Sequence, residues 1–425
     1  MLSSIQRRIF NRIKKIIPPI TETEKIALDC GTVSMDRDIF CGKVNHKKYK
    51  FPRLTKRVFS KDKLSELVTK YPNQHIYPGK NNECSNLLNY LGKNGYFALG
   101  IDTQYGGNKT SIEEMSEMLT YITSANPSLG VVVMVPNSLG PAELINEYGT
   151  YYQKQRYLPQ LAHGEKIPCF GLTGPNNGSD ATGNIDVGKV CINDMGCVVI
   201  RVALNKRYIT LAPVANLIGL AFTVEDPDKL LGNNTSGVTV ALVERGHPGL
   251  EQAYYHNPLD TGFPNGTIQG TIDINISQVI GGEDNIGNGW KMLMECLAAG
   301  RGICLPATAN ASSKVSTLAM LLYTQHRVQF KRPLIDMEGI QNKLADMIYN
   351  TWIINTSVYV TNKILDTGER PSVISAIMKE QTTERGRQVV NDAMDIYGGS
   401  GICKGPNNMI EKFYKNVPIG VTVEG

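Results

Sequence analysis

Chemistry in this 425-residue chain is most legible between Phe170 and Gly183. An apolar run from Ile167 to Leu172 turns there into four glycines, one proline and six residues with hydroxyl, amide or carboxylate side chains. That change reads as a strand running into an exposed loop. Glycine lets a backbone come close to a ligand, and successive N–H groups make a concave site suited to a phosphate. A plain hairpin connection fits the same residues, and the rest of the chain decides between the two.

Other chemistries lack their residues. No G-x-G-x-x-G follows a strand, and neither a P-loop nor a G-x-S-x-G elbow occurs, so the usual signatures of nicotinamide binding, nucleotide hydrolysis and α/β-hydrolase catalysis fail. The six histidines show no H-E-x-x-H and no cysteine partner at metal spacing, which leaves metal catalysis unsupported. Nine scattered cysteines, odd in number and never spaced C-x-x-C, suggest no disulfide framework and fit a reducing compartment.

Three kinds of text surround the loop. From Pro18 to about Gly79 the chain is polar, basic and weakly periodic, and reads as a loose arm. Ser111 and Glu114 then form a capping box ahead of Ile112, Met115, Leu119 and Ile122 on one helical face. Pro141 sits at a helix start, and a further helix runs from Tyr151 to a stop at Gly164. After Ile167, the segments 187–202, 207–224, 237–243 and 267–280 are rich in Val, Ile, Leu and Thr between glycine, asparagine or proline clusters, as strands are. No helix-length pattern separates them, which argues against a parallel, doubly wound sheet. Long helical patterns return at 290–320, 338–365 and 373–397.

The expected fold class is therefore α+β, with a helical N-terminal domain, a central antiparallel β domain and a C-terminal helical bundle. The expected divisions are 1–20, 21–165, 166–285 and 286–425. Hydrophobic residues at 41% and charged ones at 20% are those of an ordinary soluble protein. The longest uncharged stretch, Met118 to Ala142, is interrupted by prolines and asparagines and belongs in a core rather than a membrane.

The net charge of +5 is an N-terminal property: residues 1–20 carry +5, residues 43–63 carry +8, and the remainder sums to −8. Ile5, Ile9, Ile13 and Ile16 recur at helical spacing opposite Arg7, Arg8, Arg12, Lys14 and Lys15. The pattern suits a helix on an anionic membrane surface, and equally an amphipathic helix docked on its own protein. A presequence is the weaker third reading, since no apolar core or small-residue cleavage site follows. The basic residues at 43–63 come without a nucleic-acid module, so a solvated or membrane-facing surface is expected there and no nucleic acid.

Several stretches, in order, resemble the acyl-CoA dehydrogenase family of flavoproteins, and its long bacterial fatty-acid β-oxidation branch in particular. They are Pro136-Asn137-Ser138-Leu139-Gly140-Pro141, Glu147-Tyr148-Gly149-Thr150, Lys206-Arg207-Tyr208-Ile209-Thr210, Gly289-Trp290 and Gly398-Gly399-Ser400-Gly401. The resemblance runs from about Pro18 to Gly425. It implies FAD bound between the β domain and a four-helix bundle and shared across a dimer contact. It implies that Thr173 and the backbone after it meet the flavin ring, that Ser179 meets the FAD pyrophosphate, and that Thr210 bonds the flavin near N5. Arg327 would reach the pyrophosphate of FAD in a neighbouring subunit, as a guanidinium suits phosphate; a solvated helix-end arginine is the plainer reading. Gly398 and Gly399 would let their loop approach the same cofactor. Arg301 matches a family arginine that is structural or near the thioester.

The last motif, Ile419-Gly420-Val421-Thr422-Val423-Glu424-Gly425, carries the chemistry that the resemblance implies. Removing a proton alpha to a thioester needs a positioned carboxylate, and the β-hydrogen must leave as hydride to a sink no side chain provides. Glu424 matches the family's base and FAD the sink. The substrate implied is a medium- or long-chain acyl-CoA, the product a trans-2-enoyl-CoA, and the acceptor an electron-transfer flavoprotein. A homo-oligomer in the cytoplasm, peripheral at the inner membrane face, is expected. The chain departs from the pattern in three places. It ends one residue after Glu424 where relatives continue, so an incomplete bundle is expected and the Gly425 carboxylate should raise the base's pKa. Gly174 and Asn176 replace common acids, and Lys331 stands where a glycine is usual. A catalytically inert flavin-binding or membrane-associated relative, and an acyl-CoA oxidase, are the alternatives.

Overall fold

The computed structural model describes residues 4–50, 57–72, 75–76, 83–138, 140–183, 185–232, 236–252 and 256–423. The element order is helical, β, helical.

The arm expected to be loose is not. It follows α1 (Ser4–Ile16), which the sequence reads as helical, and holds α2 (Glu22–Asp29), α3 (Met35–Phe40) and α4 (Lys61–Lys70). Thr21 and Glu24 form a full capping box on α2. Segments this short show little periodicity, and α2 is held by distant partners: the Thr32 N–H donates to the Arg370 carbonyl (2.8 Å), and the Arg370 N–H to Thr32 Oγ1 (2.9 Å). Helix α1 behaves differently, because none of its residues is buried. Of the two readings left open for it, docking on its own chain is absent among the described residues.

The N-terminal helices continue with α5 (Glu83–Lys93), α6 (Ile112–Ala125), α7 (Pro127–Ser138), α8 (Ala142–Tyr148) and α9 (Tyr151–Ala162). The capping box expected on α6 is half right. Ser111 Oγ accepts the Glu114 N–H, but the buried Glu114 carboxylate accepts from the N–H groups of Val58 and Phe59 (2.6 and 2.9 Å). Asp366 supplies the missing cap, accepting the N–H groups of Ile112 and Glu113 (2.7 and 3.2 Å). A carboxylate at a helix N-terminus satisfies orphan donors and complements the dipole. The span 127–148 is apolar enough to cross a membrane, yet 76% of its most apolar window is buried inside the molecule, as core helices are.

The central sheet comprises β1 (Pro168–Gly171), β2 (Val187–Ile192), β3 (Val198–Thr210), β4 (Leu217–Glu225), β5 (Gly237–Glu244) and β6 (Asn265–Asn275). Strand β3 alternates buried and exposed residues, as a sheet with one wet face requires, whereas β4 is almost wholly buried and reads as a continuous apolar run. The sheet is mixed, not purely antiparallel. Strands β1 and β2 lie along one edge of β4, both parallel to it, while β5 pairs antiparallel on the other edge. A parallel pair needs a long crossover; here β3 replaces the helix that was looked for.

The C-terminal helices are α10 (Gly289–His326), α11 (Glu338–Leu365), α12 (Ser372–Tyr397), the short α13 (Gly399–Ile402) and α14 (Glu411–Thr422), with a two-stranded β7–β8 ribbon (Val328–Gln329, Arg332–Pro333) after α10. Where an incomplete bundle was expected, α14 packs against α12 and α10 as a fourth helix. Met320, Leu344, Met347, Val389, Val390 and Phe413 form the bundle's core.

Candidate functional site

The loop after β1 is built around one amide. Asn177, nearly buried, accepts the Gly174 N–H (2.7 Å) and donates to the carbonyls of Leu172 (3.2 Å) and Ala181 (3.4 Å). Its base is fixed from below by Lys206, which is fully buried on β3 and donates to the Leu172 carbonyl at 3.1 Å. The same ammonium pairs with Asp186 at 3.0 Å, and Asp186 also accepts the Asn205 N–H at 3.1 Å. Burial pushes the Lys206 pKa down, against the Asp186 charge that raises it. Thr173, half-buried, accepts the Arg207 N–H (3.0 Å), so the loop's first residue is zipped to β3; Ser179 is exposed.

Strand β3 is irregular where it meets the loop. Its pairing with β6 slips between Lys206 and Ile209, and Tyr208 has φ +62°. A bulge re-aims the residues beyond it. Thr210 lines one cavity with Val417 and Gly420 of α14, and its Oγ1 accepts from Asn265 Nδ2 at 3.2 Å. Two buried polar atoms here have no partner among the described residues, Asn265 Oδ1 and Arg207 Nε, although the Arg207 guanidinium donates to the Pro175 carbonyl at 3.2 Å. Buried polar atoms are normally paired, so these two, with the glycine loop beside them, fit a polar cofactor.

One cavity joins parts that are distant in sequence. Met134 and Val135 of α7, Leu305 and Thr308 of α10, Thr210 of β3 and Val423 after α14 all line it. Glu424 lies outside the described residues; Val423 is its neighbour. Arg301 stands one helical turn before Leu305 on α10, and its buried Nε has no partner among the described residues. The Lys379 ammonium donates to the Val421 carbonyl at 2.6 Å, which ties the end of α14 to α12.

The remaining expected residues form a second group. The rings of Tyr323 and Tyr397 meet edge to face at 4.8 Å, one turn before Arg327 and one residue before Gly398, which puts both at the same end of α10 and α12. Arg327 is exposed and, among the described residues, has no ion pair. Gly398 has φ +60° and ψ −137°, a conformation glycine adopts readily, and a Cβ added at Gly398 or Gly399 would meet nothing within 4 Å. The segment after α13 is tied back to the β domain through Lys404 and Asp260 (3.2 Å).

The structure thus ties Thr173 to the strand that carries Thr210, joins Thr210 to the residue before Glu424 in one cavity, and sets Arg327 with Gly398 and Gly399 at one end of α10 and α12. Sequence reading passed over Asn177, Lys206, Arg207 and Asn265. Lys206 and Arg207 stand in the quoted Lys-Arg-Tyr-Ile-Thr motif, but a lysine on a strand gives no sign that it will be fully buried.

Comparison with known proteins bears on the fold and the family. Residues 51–165 match the model of the acyl-CoA dehydrogenase N-terminal domain, and residues 287–425 that of the C-terminal domain. The chain is 29% identical over 348 residues to a 3-(aryl)acrylate reductase of Clostridium sporogenes, covering 80% of this chain and 86% of the relative. It is 28% identical over 350 residues to a short-chain-specific acyl-CoA dehydrogenase of Megasphaera elsdenii, covering 81% and 86%. The solved acyl-CoA dehydrogenase of Bacillus anthracis complexed with FAD shares the fold, with a TM-score of 0.71 at 20% identity over 95% of this chain and 64% of that one. With both terminal domain models matched, and the glycine loop, the bulged strand and the C-terminal helix meeting as described, the chain belongs to the acyl-CoA dehydrogenase family of FAD-dependent oxidoreductases.

Proposed function

We propose that this enzyme oxidises a medium- or long-chain acyl-CoA to the trans-2-enoyl-CoA in fatty-acid β-oxidation, with Glu424 as the base. The observation that carries the reading is the cavity shared by Thr210 and Val423. It sets the residue preceding the carboxylate against the strand assigned to the flavin, across a largely apolar space suited to an acyl chain.

FAD, when bound, supplies the acceptor for the β-hydrogen, which leaves as hydride. The protein's own groups do the rest. Glu424 takes the α-proton, and its backbone N–H polarises the thioester carbonyl, which acidifies the α-carbon. Thr210, held by Asn265, offers its hydroxyl to the flavin. Thr173, Ser179 and the loop braced by Lys206 and Asn177 bind the cofactor from one side. Arg327 would reach its pyrophosphate from a second subunit of a homo-oligomer, and Gly398 and Gly399 would let their loop approach the same cofactor. Leu305, Met134 and Val135 exclude water from the reacting carbons.

Electrons then pass to an electron-transfer flavoprotein, an acceptor that fits the family. The enzyme is cytoplasmic in this reading, and α1 rests on the inner membrane face. The test is turnover of a graded series of saturated acyl-CoA thioesters with an electron-transfer flavoprotein or an artificial acceptor, followed by mass analysis. A product two hydrogens lighter, made from medium or long chains only in the presence of acceptor, supports the proposal. Peroxide formed without acceptor points to an oxidase, and bound flavin without product to an inert relative.

A further inference from the structure

The exposed apolar and basic surface of the N-terminal arm does not end with α1. Helix α2 is bolted to the C-terminal helices through Thr32 and Arg370 (2.8 and 2.9 Å), and Gly31 lies so close to Ser372 that no side chain would fit. Past this fixed point the chain enters α3, where Ile39 is 50% and Phe40 74% exposed, followed by Val44 at 48%. Lys43, Lys47 and Lys50 are exposed and form no ion pair among the described residues. Asp38 accepts from the Tyr49 hydroxyl (2.7 Å) and the Lys48 ammonium (3.1 Å), closing residues 38–49 into a tied turn. The aromatic tip and its lysines are therefore presented by formed structure.

We propose that residues 39–50 are a second contact with an anionic lipid surface; this deepens the α1 reading, from which it takes only the class of partner. A bilayer boundary accepts both halves of the patch, with Phe40 and Ile39 entering the acyl region and the lysines staying at the phosphates. A second copy of the chain fits less well, because a two-fold contact would set these lysines, or the five cations of α1, near others of the same sign. A nucleic acid would use the lysines and leave Phe40 and Ile39 in water. The contacts lie on either side of the α2 anchor in the chain, so each adds to the other's binding through effective concentration.

The experiment is sedimentation of the full-length enzyme with vesicles of phosphatidylcholine and phosphatidylglycerol, and with vesicles of phosphatidylcholine alone. Three proteins are compared: the native chain, Phe40→Asp/Lys47→Gln, and Ile9→Asp/Ile13→Asp. All four positions are exposed, so melting temperatures should stay unchanged. Native binding to the mixed vesicles, absent from pure phosphatidylcholine and weakened by salt, should fall about tenfold or more in each double variant. Native-like binding by Phe40→Asp/Lys47→Gln overturns the second contact and leaves the α1 reading standing. Loss in that variant alone, with Ile9→Asp/Ile13→Asp native-like, overturns the α1 reading and supports the second contact. A native chain that pellets with neither vesicle, or equally with both, overturns both. Binding to single-stranded RNA as tight as to the mixed vesicles, and unchanged by Phe40→Asp/Lys47→Gln, also overturns the lipid assignment.

Discussion

Replacing Lys206 by methionine isolates the brace beneath the cofactor loop. Methionine keeps much of the stem but removes the ammonium from a fully buried position. Two acceptors lose one partner each: the Asp186 carboxylate, 14% exposed, and the Leu172 carbonyl, which keeps the Asn177 amide. Breaking a buried pair by deleting one member costs about 3–5 kcal/mol. Asp186 keeps the Asn205 N–H and some water, so the lower end applies, about 3 kcal/mol. Replacing both partners by apolar residues, Lys206→Met with Asp186→Leu, leaves no stranded charge and should return to within about 1 kcal/mol of native, so the pair is coupled by at least about 2 kcal/mol, plus whatever Asp186→Leu costs alone. Urea unfolding followed by circular dichroism reads both values. The pH dependence is a second check. Burial lowers the Lys206 pKa below 10.5, so between the lowered value and 10.5 the unfolded chain holds more protons, and stability rises with pH across that window. Lys206→Met loses that rise. A cost under about 1 kcal/mol, or additive single substitutions, would refute the claim that this pair braces the loop.

Three further outcomes follow from the same geometry. Arg327→Ala, at an exposed position without an ion pair among the described residues, should leave the melting temperature unchanged yet weaken FAD binding about tenfold to a hundredfold, measured by flavin titration of the apoprotein. Gly398→Ala should cost about 1–3 kcal/mol through its backbone angles alone, whereas Gly399→Ala, with open space and no positive φ, should stay within about 0.5 kcal/mol in thermal unfolding. Glu143 lines a second internal cavity with Asn137, Asn146 and Ile303, and burial raises its pKa to about 7 against the opposing charge of Arg370. The native state then holds the extra proton between 4.5 and about 7, so stability falls as pH rises through that range and levels off above it. Glu143→Gln should flatten this slope and gain at most about 3 kcal/mol above pH 7, read from unfolding curves across pH.

The sequence carried the fold wherever periodicity was long. The helices from Ile112 and Tyr151, the alternation of β3 and the three long C-terminal helices are all visible as patterns. Short elements were not: α2 to α4 have too few residues for a period, and α2 is fixed by backbone groups of Arg370, far along the chain. The parallel pairing of β1 and β2 with β4 was missed because a strand serves as the crossover where a helix was expected. At the site, Thr173, Thr210, Arg327, Gly398 and Gly399 were named by resemblance; the structure ties Thr173 to the strand that carries Thr210 and sets Arg327 and Gly398 apart from them, at one end of α10 and α12. Asn177, Lys206 and Asn265 act through burial and distant partners, and neither is written in local sequence. Glu114 shows the same limit, since its spacing from Ser111 is right for a capping box while its carboxylate serves Val58 and Phe59 instead.

The central claim is that Glu424 removes a proton from an acyl-CoA thioester beside a flavin. Its most direct test is anaerobic mixing of the purified enzyme with a saturated medium- or long-chain acyl-CoA while the flavin absorbance is followed. The account predicts a yellow protein whose absorbance bleaches on mixing, and a Glu424→Gln variant that binds FAD equally well but does not bleach. A native protein without flavin, or a Glu424→Gln variant that bleaches like the native one, would contradict it.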